Sequence, residues 1–205
     1  MSGYINELVN GVISTKMLEG SETFKNAEES LLVSADILDY WRWAYSDIVG
    51  NTNRGALAEF IVARAIGSEA AVRNDWAAYD LETPNGIKVE VKSSAYLQSW
   101  NQDTVSAPSF SIRKAKEWSP ETNEFGEERL RHSDVYVFCL LAYKGDKRML
   151  NPLDLSQWVF YVVKTSEIDR IFGDRSSISI NRVKDLRQAY SVDRLLDAVQ
   201  TSFNF

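Results

Sequence analysis

Apolar and charged side chains alternate most regularly over residues 87–92, where Ile87, Val89 and Val91 are β-branched and Lys88, Glu90 and Lys92 lie between and after them. A period of two is the mark of a half-buried strand, and it turns Glu90 and Lys92 to the same face. Residues 78–83 supply a partner strand, with Pro84, Asn85 and Gly86 between the two. Loop length then decides which side chains share a face, because a one-residue slip reverses every one of them. A two-residue Asn85-Gly86 loop would set Asp80 opposite Val91. A three-residue loop, with Pro leading a type I turn and Gly in the left-handed position, pairs Thr83 with Ile87 and Asp80 with Glu90.

Longer periods occur elsewhere. Leu31, Leu32, Ala35, Ile37, Leu38, Trp41 and Ala44 recur near helical spacing and predict one long helix or two short ones over 27–50, and a helix is also expected within the first 27 residues. Residues 54–66 predict a helix with an apolar stripe of Leu57, Phe60, Ile61 and Ala65, capped by an Asn or Thr of 51–53 and stopped by Gly67. Asp134 to Tyr143 is the most hydrophobic stretch, as suits a central strand buried on both faces. Further strands are expected at 110–113, 158–164 and 177–180, helices at 165–172, 183–186 and 192–199, and a loop at 119–132. Together these elements predict an α/β fold with a mixed sheet flanked by helices. It forms one domain, with an N-terminal helical segment (1–50), a core (51–166) and a C-terminal helical segment (167–205).

Composition narrows the chemistry. The 205 residues, 44% of them hydrophobic, suffice for a substantial core. No apolar run is long enough to span a bilayer and the start is not signal-like, so a cytoplasmic protein without membrane association is expected. Cys139 is the only cysteine and lies in the most apolar stretch, a core position. His132 is the only histidine, which leaves cysteine–histidine zinc sites without ligands. A net charge of −6 speaks against coating nucleic acid by charge alone, though only the surface facing a substrate must be basic. Packing in the core or at its rim is expected for most of the six Trp residues.

The hairpin is where chemistry concentrates. Opposed residues of an antiparallel pair have Cα atoms roughly 4.5–5.5 Å apart. Asp80 and Glu90 at that separation repel unless a cation lies between them or one is protonated. Mg²⁺ accepts such a carboxylate pair while keeping several waters, and Lys92 is placed to orient one of those waters.

Asp80, nine intervening residues and then Glu90-Val91-Lys92 resemble the PD-(D/E)XK, or restriction-endonuclease-like, nuclease superfamily, with Tyr79 where the family motif has Pro. A wider block, from Asp39-Tyr40-Trp41-Arg42-Trp43 through Asn53-Arg54-Gly55 and Glu59 to Gln98-Ser99-Trp100, is similar to uncharacterised bacterial and phage proteins of that superfamily, over about residues 37–166. The resemblance implies a restriction-endonuclease-like core and hydrolysis of phosphodiesters in nucleic acid, most readily DNA, with Mg²⁺ or Mn²⁺. Asp80, Glu90 and the Val91 carbonyl would hold the metal, Lys92 would position water or stabilise charge on the phosphate, and Glu59 of the first core helix would hold a metal-bound water. Gln98, Trp100, Arg54 and Arg113 are the candidate substrate contacts; for Glu59, Arg54 and Arg113 solvent exposure is the alternative role, and for Trp100 packing is. The rival reading is an inactive nuclease scaffold that binds nucleic acid or a protein partner. Whether the chain acts alone or as a homodimer is left open.

Overall fold

The computed structural model describes residues 7–14, 16–26, 28–69 and 72–204. Contacts divide the chain into two compact units, Met1–Ile48 and Val49–Phe205. In the first, β1 (Glu7–Val9) pairs antiparallel with β2 (Val12–Ser14), β3 (Thr23–Lys25) pairs with β4 (Leu31–Asp36), and α1 (Ile37–Tyr45) follows. Helix was expected across this segment, and only its last part is helical. Leu31, Leu32 and Val33 are consecutive apolar residues that suit an extended chain. The helix begins where Asp36 and Asp39 cap each other reciprocally, the Asp36 carboxylate accepting from the Asp39 N–H at 2.9 Å. The helix expected within the first 27 residues is replaced by short strands, and its residues 1–6, 15 and 27 lie outside those described. No described hydrophobic residue of this unit is buried.

The second unit opens with α2 (Asn51–Ile66), then β5 (Leu81–Glu82), β6 (Lys88–Ala95), β7 (Ser109–Ser111), β8 (Trp118–Ser119) and β9 (Glu124–Phe125). It continues with β10 (Val135–Leu141), β11 (Trp158–Lys164), α3 (Thr165–Phe172), β12 (Ser177–Ser179), α4 (Ile180–Leu186) and α5 (Leu195–Asn204). The central sheet is mixed, in the order β11-β10-β6-β5, with β10 parallel to β6 and the other pairs antiparallel. The small pair β8–β9 lies at the start of the stretch expected to be a loop.

Every residue of β10 is buried, because the sheet carries a core on each face. Val135, Val137, Cys139 and Leu141 pack with α2 and α5; Tyr136, Phe138 and Leu140 pack with α3, α4, β7 and β12. Cys139 is therefore a core residue, and burial pushes its thiol well above the ordinary cysteine range.

The α2 stripe is turned about one position from the expected one. Arg54, Ala58, Ile61, Val62 and Ile66 are buried, whereas Phe60 is 55% exposed with the Arg64 guanidinium over its ring. Gly67 ends the helix in the left-handed conformation and returns its N–H to the Ala63 carbonyl. Of the six Trp residues only Trp158 is buried; Trp43, Trp76 and Trp100 are exposed, against the expectation of packing. No helix among the described residues is long and apolar enough to cross a membrane.

Candidate active site

The hairpin closes through the three-residue loop. The Thr83 N–H donates to the Ile87 carbonyl (3.0 Å), the Gly86 N–H to the Thr83 carbonyl (2.9 Å) and the Ile87 N–H to Thr83 Oγ1 (3.0 Å). Gly86 has φ +80°, which a side chain would resist. Leu81 is opposite Val89 and Glu82 opposite Lys88, so one further step of this register brings Asp80 opposite Glu90.

Regular pairing stops at Leu81, and the Asp80 side chain takes over from the backbone: its Oδ2 accepts the Val91 N–H at 2.7 Å. Lys92 Nζ contacts Glu90 Oε1 and lies 3.8 Å from Asp80 Oδ2. The two carboxylates and the ammonium thus meet at one point, with side chains only 19–27% exposed.

Electrostatics follow from that crowding. Burial and then the Glu90 charge push the Asp80 carboxyl up to about 6, against the pull of Lys92 and the Val91 N–H. Burial alone would lower Lys92, but Glu90 and Asp80 outweigh it and hold the ammonium above the usual lysine range. The cluster is short of positive charge, and one lysine supplies only part of what two or three carboxylates ask for.

Glu59 projects from α2 toward the same place, and its charge adds to the rise at Asp80. Its carboxylate is held by Arg73 on two nitrogens, Nε and Nη2, the latter at 2.9 Å. Arg73 also touches Asp75. Nothing in the sequence singles Arg73 out, since it lies in an irregular stretch with no period. Between α2, residues 68, 69, 72–74 and 77, and the β5 side of the hairpin is a cleft of about 520 Å³ that Glu59 and Asp80 line, with Phe60 and Tyr79 among its walls. Tyr79, at the position where the PD-(D/E)XK motif has Pro, donates from its hydroxyl to Glu82 Oε2 (2.7 Å) and lies under Lys88.

The four candidate substrate contacts divide into two kinds. Arg54 is 3% exposed and uses its donors inside the protein, on the Val49 carbonyl (3.0 Å), Asn51 Oδ1 (2.8 Å), Ser93 Oγ (3.3 Å) and Gln98 Oε1 (3.3 Å). Gln98 is buried beside it and donates to the Ala95 carbonyl (3.0 Å). This pair ties the start of α2 to the far end of β6, next in sequence to Lys92. Trp100 is 53% exposed, and Arg113 is exposed just beyond β7.

Beyond these residues the sequence itself can be matched to known proteins. The model of the bacteriophage T4 endonuclease IV family matches residues 34–182. The chain belongs to that family. The match takes in every residue of the site and ends before α5. Membership of the endonuclease IV family makes this a nuclease-family chain acting on nucleic acid. Among solved structures, a bacterial homing endonuclease, I-Ssp6803I, aligns at 19% identity over 63% of this chain and 76% of its own, with a TM-score of 0.34, too slight a likeness to bear on the site. No curated protein matches.

The donor set fits a hard cation. Among the described residues no three His, Cys, Asp or Glu side chains form a preformed metal cluster, but Asp80 and Glu90 offer two carboxylates around a point where Lys92 already places a positive charge. Hydrogen-bonding alternation along β6 turns the Val91 N–H and C=O to the β5 side, beyond Leu81, the first residue of β5. Two carboxylates and a carbonyl suit an ion that keeps the rest of its shell as water.

Proposed function

We propose that this chain is a metal-dependent endonuclease of the PD-(D/E)XK type, with a restriction-endonuclease-like core, hydrolysing phosphodiester bonds in nucleic acid, DNA before RNA. The observation that carries the reading is the convergence of Lys92 on Asp80 and Glu90 at the end of a hairpin whose register sets the two carboxylates opposite each other. Membership of an endonuclease family supports it.

Asp80 and Glu90, with the Val91 carbonyl, would hold Mg²⁺ or Mn²⁺. Such an ion, when bound, lowers the pKa of a water and polarises a phosphoryl oxygen. Lys92 keeps its proton at neutral pH because Glu90 and Asp80 stabilise the ammonium. It therefore acts as a donor, to a phosphate oxygen on which charge accumulates or to the attacking water, and not as the base. Water oxygen bonds to phosphorus as the ester P–O bond breaks; the attacking water gives up a proton to bulk solvent, and the departing oxygen takes one up.

Glu59, paired with Arg73, would hold a water at the edge of the centre. Arg54 and Gln98 serve as positioning residues that fix β6 beneath Lys92, while Trp100 and Arg113, both exposed, are the substrate contacts. Incubating the protein with plasmid, single-stranded DNA and RNA, each with Mg²⁺ or Mn²⁺, tests this reading. Cleavage should require the metal and fall by roughly 10²–10³-fold in Lys92→Ala, the usual cost of losing one such donor. Cleavage of none of the substrates by the intact protein, or equal cleavage by the variant, overturns it.

A further inference from the structure

Two lysines from distant parts of the chain meet on one tyrosine ring. Lys144 Nζ, in the turn after β10, lies 3.9 Å from the centroid of Tyr96; Lys184 Nζ, on α4, lies 5.9 Å from that centroid and 3.3 Å from Tyr96 Oη. Tyr96 is buried, whereas both lysines are exposed. Two ammonium groups repel at this range, and the face and hydroxyl of one ring offset only part of that repulsion.

Their acidic neighbours are engaged elsewhere. Asp146 pairs with Arg148 and Asp185 with Arg182 at 3.9 Å. Among the described residues neither Lys144 nor Lys184 has a carboxylate partner within 4 Å. In a chain of net charge −6, paired cations left without a carboxylate mark a place for an anion that comes from outside.

The position of the ring says which anion. Glu90, Lys92 and Ser94 lie beside Tyr136, Phe138 and Leu140 of β10, and Tyr96 packs into the cluster those three form, so it continues the row of the candidate active site. Four residue steps lead from Lys92 to Tyr96, the residue that follows β6, roughly 13 Å at about 3.3 Å each. A nucleic-acid strand rises about 3.4 Å per phosphate, so one strand reaches both points within a few nucleotides. Lys147, three residues past Lys144, donates to the carbonyl of the exposed Trp100, which ties this turn to the stretch leading away from β6.

We propose that Lys144 and Lys184, gathered on Tyr96, form a second anion site that holds a backbone phosphate of the nucleic acid whose scissile bond lies at Asp80, Glu90 and Lys92. The assignment rests on the nuclease reading for the identity of its ligand, but not for the existence of the anion site.

The test uses the full chain with Asp80→Asn to block cleavage, with and without Lys144→Ala/Lys184→Ala. Binding of a fluorescent oligodeoxynucleotide is followed across a range of salt. The double substitution should weaken binding and flatten the plot of log K against log[salt] by about 0.7–0.9 for each phosphate no longer neutralised, while Lys144→Arg/Lys184→Arg keeps the slope. Oligonucleotide binding with an unchanged slope in the alanine variant overturns the proposal.

If the oligonucleotide does not bind at all, the nuclease reading fails separately, and a titration with inorganic phosphate followed by amide NMR decides the site. Shifts confined to the surroundings of Tyr96, Lys144 and Lys184, and abolished in the alanine variant, uphold an anion site. Their absence overturns it.

Discussion

Asp80 is the residue on which the electrostatics turn. Its carboxyl ordinarily titrates at 3.8 and is raised to about 6 by burial and by Glu90. A raised carboxyl binds its proton more tightly in the folded than in the unfolded chain, so stability falls as pH rises from about 4 through about 6 and stays reduced above that. The rise corresponds to about 3 kcal/mol. Asp80→Asn should therefore be the more stable protein at pH 7, with the difference vanishing below pH 4, as urea unfolding at the two pH values would show. Lys92→Met removes the opposing ammonium and should push the Asp80 carboxyl higher still, measurable by NMR titration of its side chain. Arg54 makes a contrasting case. Truncation to Ala leaves the Val49 carbonyl and the Gln98 amide without their partner, and an unsatisfied buried polar group costs about 1–3 kcal/mol. Arg54→Ala should lose about 3 kcal/mol of stability in denaturant melts and, since it acts through the placement of β6, cleave more slowly at low temperature while its metal requirement is kept.

At the scale of elements, the hairpin loop carries the site. Deleting Asn85 shortens the loop and slips the register, which turns Asp80 away from Glu90. The deletion should abolish cleavage while the thermal melt remains cooperative, since β10, β11 and the helices supply most of both cores. This much was legible in advance, because Pro84 and Gly86 specify a turn and the alternation of 87–92 specifies a face. The strand at Val135–Leu141 was legible for a related reason: an unbroken apolar run has few places to go except between two layers. Elsewhere the signals misled. On α2 an arginine is buried and a phenylalanine exposed, because Arg54 finds four oxygen acceptors and Phe60 faces the cleft, and a hydrophobic stripe cannot anticipate either. The strand at Leu31–Asp36 mimics helical spacing because a contiguous apolar run matches several periods at once. Arg73 was invisible, as an irregular stretch gives no geometry from which its contact with Glu59 follows.

On the scale of the whole molecule, the two units differ in what they can sustain. All residues of both cores belong to Val49–Phe205, so a protein of residues 49–205 should melt cooperatively by circular dichroism, within a few degrees of the full chain. The family match begins earlier, at residue 34, and cleavage by the shortened protein would show whether the first unit contributes to activity as well as to sequence likeness. An acidic chain must also meet a polyanion. On the reading proposed above, local charge would do this where net charge does not, through a cation held between Asp80 and Glu90 and a pair of lysines on Tyr96. Whether Asp80 and Glu90 form a centre for a hard divalent ion is decided by calorimetric titration of Mn²⁺ into the intact protein and into Asp80→Ala. One site is expected in the first and none in the second, with both proteins folded; equal binding by the two would mean that the carboxylate pair does not hold the ion.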